Sequence, residues 1–305
     1  MNWEYLITII APPMQASFSG AWLYLVLLVI GGFIGVLTGF FGVGGGFLIV
    51  PLLNIVVGIN YELAVGSSLS FILGTSFTGM MRQRSQGNVY LAAAGYIAAG
   101  SVIGSVLGDL AQEALLFSIA GGSRHVFTMW MHGLFLVVLA VTMIAVKASS
   151  RESAEQERTP MLLSRGPRPM FSSEGNIQIS IPLTFLIGLI IGVMTGLLGI
   201  GGGVLLVPIL LGLFGLGHRT AVGTSLAIVV ITSLSGIIKK GFSDIPKVSL
   251  PLTVLLIAGS IFGLQLGIML LRRSGEKSFR RYFTYIIILA MALIAADLLG
   301  MIRSS

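Results

Sequence analysis

A polytopic, all-α membrane protein is the fold class this sequence predicts, and three observations carry it. Charged residues make up 10% of the 305 positions and hydrophobic ones 55%, with a mean hydropathy of +0.99, whereas a water-soluble chain carries roughly 25% charged residues. Apolar runs of the length the hydrocarbon core demands, roughly 20 helical residues, recur along the chain. The first half also returns in the second: Gly35–Gly79 and Gly192–Gly236, aligned without gaps, agree at 21 of 45 positions. That duplication predicts two homologous repeats. The whole reads as about ten membrane segments, eight full and two short, with the short ones broken by glycine at the repeat interface.

Trp22–Phe41 is the first apolar span. It ends at Gly42-Val43-Gly44-Gly45-Gly46, and the segment after it, Gly46–Val57, is too short for an ordinary crossing. Three adjacent glycines cannot continue a stable helix, because each loses more freedom on ordering than any other residue. Pro51 helps shape the short segment by removing a helix N–H. Leu63–Met81 follows and ends at Arg82 and Arg84. Val89–Leu107 carries Gly100, Gly104 and Gly108 at helical spacing, a packing face for a close neighbour. Asp109–Arg124 reads as a connection, with Ala114–Ile119 in the interface, and Val126–Val146 closes the half. Residues 1–147 are therefore the first repeat. Met1–Gly20 has Glu4 and no basic n-region, so it does not read as a cleaved leader.

Residues 148–178 differ in kind: mixed charge and prolines at 160, 167 and 169 predict a cytoplasmic linker. Residues 179–305 form the second repeat. Leu183–Leu198 precedes the break Gly199-Ile200-Gly201-Gly202-Gly203, and Val204–Leu216 with Pro208 is the second short segment. Thr220–Ile238 ends at Lys239 and Lys240, Val248–Leu271 carries Gly259, Gly263 and Gly267, and Tyr282–Met301 is the last span. Orientation follows from the basic residues. If each short segment completes a crossing, segments 82–88, 147–178, 217–219 and 272–281 are cytoplasmic and hold 13 of the 18 Lys and Arg; with re-entrant segments the count is 11 of 18. The positive-inside rule thus favours five crossings per half and inverted repeats.

Several functions are excluded. The chain has no cysteine, and His125, His132 and His218 are scattered without carboxylate partners in sequence, so no metal centre and no cofactor site is predicted. The net charge of +7 comes from residues between apolar spans, an orientation signal and not a nucleic-acid surface. No G-K-[ST] follows either glycine cluster, which excludes a nucleotide cradle. No nucleophile–base cluster lies at membrane depth, so the chain does not read as an enzyme. His132 and Asp297 lie towards the ends of their spans and form no carboxylate relay in the sequence.

The candidate site lies at the two breaks. In lipid, irregular backbone survives only where protein covers it or it lines a cavity. Paired broken helices in two halves point to a transporter's substrate site. Helix N-termini carry about half a positive charge and unsatisfied donors, so amides at Gly44, Gly45, Gly46 and at Gly201, Gly202, Gly203 suit an anion. Beside them run Ser67, Ser68 and Thr75, matched by Thr224, Ser225 and Thr232, with Arg82 and Lys239 as accessory cations further along the same faces. Helix packing competes with ligand binding as the reading of the glycines and hydroxyls. Thr38 and Thr195, before the breaks, read either as backbone caps or as ligands.

The run Gly42-Val43-Gly44-Gly45-Gly46-x4-Pro51, then Ala64-Val65-Gly66-Ser67-Ser68-Leu69 and Gly87-Asn88-Val89, resembles the TauE/SafE family of membrane permeases, and the second copy, Gly199 to Pro208 and Ala221 to Leu226, is similar to that family's second repeat. The resemblance implies a secondary transporter in the bacterial inner membrane that exports sulfite or an organosulfonate such as sulfoacetate. An anion channel, or a permease for another small anion, is the alternative. Coupling to protons, carried by the substrate itself, and homo-oligomerisation are further expectations that the sequence leaves open.

Overall fold

The computed structural model describes residues 21–118, 124–152, 170–172, 178–241 and 249–300. The N-terminal segment and most of the linker, on which two of the sequence expectations fall, lie outside these. Ten helices are described: α1 (Ala21–Phe41), α2 (Gly46–Pro51, continued by a π-helical turn, Leu52–Val56), α3 (Tyr61–Arg84), α4 (Leu91–Ser118), α5 (Arg124–Glu152), α6 (Ile181–Leu198), α7 (Gly203–Gly212), α8 (His218–Gly241), α9 (Leu250–Arg273) and α10 (Glu276–Leu298). Eight are long and apolar enough to cross a membrane, and α2 and α7 are the two short ones. A three-residue strand pair, β1 (Met170–Ser172) against β2 (Gln178–Ser180), precedes α6.

Several boundaries differ from the sequence reading: α5 runs on to Glu152, into the expected linker, and α7 stops at Gly212. The span expected to stop at Leu107 runs on to Ser118, so Asp109 and Gln112 are helical and buried. Gln112 Nε2 donates to the carbonyl of Leu197 at 3.0 Å, satisfying an end-of-helix acceptor that would otherwise be orphaned in an apolar surround. The last helix begins at Glu276, where the Arg280 guanidinium pairs with the Glu276 carboxylate one turn away.

The glycine ladders are the packing faces the sequence indicated. A Cβ on Gly100, Gly104 or Gly108 would lie 2.1–2.3 Å from the carbonyl oxygens of Phe185, Leu189 and Val193, so α4 lies backbone-to-backbone along α6. On the other side Gly259, Gly263 and Gly267 of α9 approach the carbonyls of Leu28, Gly32 and Val36 of α1 to 2.0–2.2 Å in the same sense. In both pairs the residue numbers rise together, so each pair is parallel. α3 and α8, in contrast, run antiparallel: Gly79 meets Leu226, and Gly236 meets Leu69.

These two central helices are each 67% buried, against 28% for α10. Large apolar side chains cover the outside, Phe262 at 80% exposure and Ile144 at 68% among them. An apolar exterior of this extent belongs in a bilayer. The chain is a multi-pass membrane protein.

Candidate functional site

Both helices that enter the centre end in left-handed glycines. Gly42, Gly44 and Gly45 have φ of +70°, +70° and +75°, and Gly199, Gly201 and Gly202 repeat this at +68°, +71° and +72°. A residue with a Cβ pays roughly 1–2 kcal/mol in this region, which is why only glycine serves at these positions. The first amides of α2 to find a backbone acceptor are those of Leu48 and Ile49, both on Gly45 O at 3.2 Å. In α7, Leu205 and Leu206 share Gly202 O at 3.2 and 3.1 Å.

The two breaks meet. A Cβ on Gly46 would lie 2.3 Å from Ile200 O, and one on Gly203 would lie 2.4 Å from Val43 O, so the heads of α2 and α7 are in backbone contact. Ile72 of α3 and Val229 of α8 pack over both: each touches Gly44 and each touches Gly201. Gly42–Gly46 and Gly199–Gly203 are buried throughout. No Lys or Arg occurs in residues 21–81 or 178–217, so the two breaks and the helices leading into them carry no basic side chain.

Of the hydroxyls expected beside the breaks, only Ser68 and Ser225 have hydrogen bonds to them, and all six have a structural partner. Ser68 Oγ donates to Gly199 O at 3.0 Å and Ser225 Oγ donates to Gly42 O at 2.9 Å, a reciprocal stitch between the two halves. Ser67 Oγ accepts from the Ser249 amide at 3.0 Å and Thr224 Oγ1 from the Tyr90 amide at 2.9 Å, again reciprocally. Thr75 Oγ1 donates to Phe71 O at 3.0 Å, while Thr232 Oγ1 bonds Ile228 O at 2.9 Å and Ser101 Oγ at 2.6 Å. Arg82 is exposed at the end of α3, away from the buried centre. Lys239 falls in the last turn of α8.

Two further hydroxyls stand at the first break, Thr38, which reads as cap or ligand in the sequence, and Ser76. Thr38 Oγ1 and Ser76 Oγ are fully buried and meet no hydrogen-bonding group among the described residues. They flank the first break, Thr38 beside Gly45 and Ser76 beside Gly44. Their counterparts in the second half are occupied: Thr195 donates to Ile191 O at 2.9 Å and Ser233 to Val229 O at 2.6 Å. Sequence comparison of the halves made each pair look equivalent, and only coordinates separate them.

The structure also brings together a pair that sequence reasoning set aside. His132 Nδ1 of α5 lies 3.0 Å from Asp297 Oδ2 of α10, both buried. The residues are 165 apart, so no spacing rule could join them. No group of three or more His, Cys, Asp or Glu able to hold a metal occurs among the described residues.

A lipid-facing helical bundle whose two interrupted helices meet at a buried centre has the architecture of a membrane transporter. The chain belongs to the sulfite exporter TauE/SafE family, whose model matches residues 26–294. It is similar to two probable membrane transporter proteins of Bacillus subtilis: YunE, 26% identical over 87% of this chain and 95% of that protein, and YjnA, 29% identical over 79% and 87%. A probable membrane transporter protein of Methanocaldococcus jannaschii is 27% identical over 85% of this chain and 90% of its own length. No solved structure matches the chain.

Proposed function

We propose that the protein is a secondary transporter that exports a small sulfur-containing anion, sulfite or an organosulfonate such as sulfoacetate, across the bacterial cytoplasmic membrane. One observation carries the reading: the heads of α2 and α7 are in backbone contact, so both helix N-termini serve one point. Donors and dipoles gathered there favour an anion without a buried cation to trap it. The free hydroxyls of Thr38 and Ser76 add two neutral donors on one side of that point. Ser68 and Ser225 hold the two breaks together and release them as the halves move. The family's designation as a sulfite exporter family supports the sulfur oxyanion over other small anions.

Residues 1–147 and 179–305 act as two inverted repeats. Antiparallel α3 and α8, beside parallel α1/α9 and α4/α6, support that relation: a repeat pair sharing one orientation would set α3 and α8 parallel. Alternating access then rocks one repeat against the other about the meeting point. In the present conformation Ile72 and Val229 cover it, which is the occluded stage of such a cycle.

The test is flux of sulfite, sulfoacetate and taurine in proteoliposomes, with pH, sodium and voltage gradients imposed separately. Saturable, counterflow-competent movement of a sulfur anion supports the reading. Unsaturable movement at channel rates replaces it with an anion pore, and no movement of any of the three removes the substrate class.

A further inference from the structure

We infer that His132 and Asp297 form a proton-binding site that couples proton movement to the transport cycle; this rests on the transporter reading above but not on which anion is carried. Ionisable side chains buried within membrane spans are costly and mark ion pathways and relays. Here the two are 1% and 6% exposed and 3.0 Å apart. His132 lies eight residues, about 12 Å, inside the start of α5.

Their position in the fold gives the pair its role. α5 and α10 are the fifth helix of each half, so the pair bridges the two repeats. α5 packs against α7, and α10 packs against α2. The contact therefore fastens the helices that back the two broken segments, one on each side of the anion point. Tyr61 completes the cluster: its ring stands 5.9 Å from the imidazole in edge-on geometry, and its buried hydroxyl meets no partner among the described residues. Tyr61 opens α3, the helix that carries Ser68, Ile72 and Ser76 to the first break.

The electrostatics give two states. When His132 takes one proton on its ring, the pair becomes imidazolium–carboxylate and its net charge rises from −1 to 0. A buried pair is held strongly only when both charges are present, so proton loss loosens α5 from α10 and proton uptake fastens them. Asp297 and Tyr61 are titratable groups that face His132 among the described residues. α6 and α7 carry none, and Glu276, Lys277, Arg280 and Arg281 of α10 lie more than four turns from Asp297. On α4, Asp109 is buried beside Gly196 of α6 and Glu113 is exposed.

Two measurements test this. Sulfoacetate is the flux probe, because its charge is constant between about pH 6 and 8. The native protein should accumulate it when a pH gradient is imposed. His132→Gln and Asp297→Asn should keep gradient-free exchange within about threefold of native, a rate change below 1 kcal/mol, yet lose the response to the gradient. A merely structural pair would instead depress both together. The second measurement needs no cargo. The chain has no cysteine, so spin labels at Met129→Cys and Ala292→Cys, both exposed beside the pair, report the α5–α10 distance. That distance should change between pH 5 and 8 and stop changing on adding His132→Gln. Variants that respond to the gradient as the native protein does, or a native distance indifferent to pH, overturn the inference. Native protein that exchanges none of sulfoacetate, sulfite and taurine refutes the anion reading instead, and the label distance then decides the proton site by itself.

Discussion

Ile72 and Val229 occupy equivalent positions in the two halves, 157 residues apart, and each packs against both glycine breaks. Two apolar side chains thus stand where the two sets of main-chain donors converge. An anion cannot share that point with them, so opening requires α3 and α8 to draw these side chains aside. The branched Cβ of each leaves few rotamers in a helix, which makes movement of the helix, not of the side chain alone, the step that opens the centre.

Ile72→Val tests this. Losing one buried methylene costs about 1 kcal/mol, and if that packing is part of the opening barrier, exchange should rise about fivefold. Ile72→Phe should block it. Counterflow of labelled sulfite measures both, and an exchange rate unchanged by either would place the barrier elsewhere.

The breaks themselves tolerate no side chain. Gly45 has φ of +75°, and a Cβ there would sit 2.1 Å from Ile34 Cγ2; at Gly202 it would sit 2.4 Å from Ile191 Cγ2. Gly45→Leu and Gly202→Leu should therefore abolish transport while the chain still inserts, since the flanking spans keep their apolar length. Uptake in vesicles, together with the amount of protein in the membrane fraction, checks the two halves of that statement.

The glycine ladders predict stability and not transport. Gly104→Ala and Gly263→Ala place a Cβ about 2 Å from the carbonyls of Leu189 and Gly32, forcing two helix backbones apart. Both should lower the melting temperature in detergent by several degrees. Gly95 lies in the same helix as Gly104 but has nothing within 4 Å, so Gly95→Ala should be neutral or stabilise by up to about 1 kcal/mol.

How much of this was legible beforehand depends on range. The ladder glycines, the breaks and the duplicated Ser68 and Ser225 could be read because repeat and helical spacing are local in sequence. What those hydroxyls bond could not, since Ser68 reaches Gly199 and Ser225 reaches Gly42 across the two halves. The end of α4 was misplaced because Asp109 and Gln112 look like an aqueous connection until α6 is seen beside them. His132 with Asp297 was invisible for the same reason: each alone is a charge near a helix end.

Ser68→Ala and Ser225→Ala each delete one buried bond across the halves and leave a glycine carbonyl unsatisfied, worth about 1–3 kcal/mol. The two sites mirror each other and share no partner, so the double variant should lose roughly the sum. Thermal unfolding of the purified protein gives the answer. Loss of apparent affinity for sulfite without loss of stability would instead make these hydroxyls ligands.

Thr38 and Ser76 make the opposite prediction, and the contrast is the sharper test of where the anion sits. Neither hydroxyl donates to a described group, so Thr38→Val and Ser76→Ala remove no internal hydrogen bond and relieve the cost of a buried donor without a partner. Stability should hold or improve slightly. If the first break receives the anion, each variant loses a donor to it, and the apparent KM for sulfite should rise about five- to tenfold, as a hydrogen bond of about 1–1.5 kcal/mol requires. The counterpart variants Thr195→Val and Ser233→Ala remove bonds to helix carbonyls, so their cost should appear in stability and leave KM near native. Equal KM effects from both halves would mean a symmetric site, and no KM effect from Thr38 or Ser76 would move the anion away from the first break.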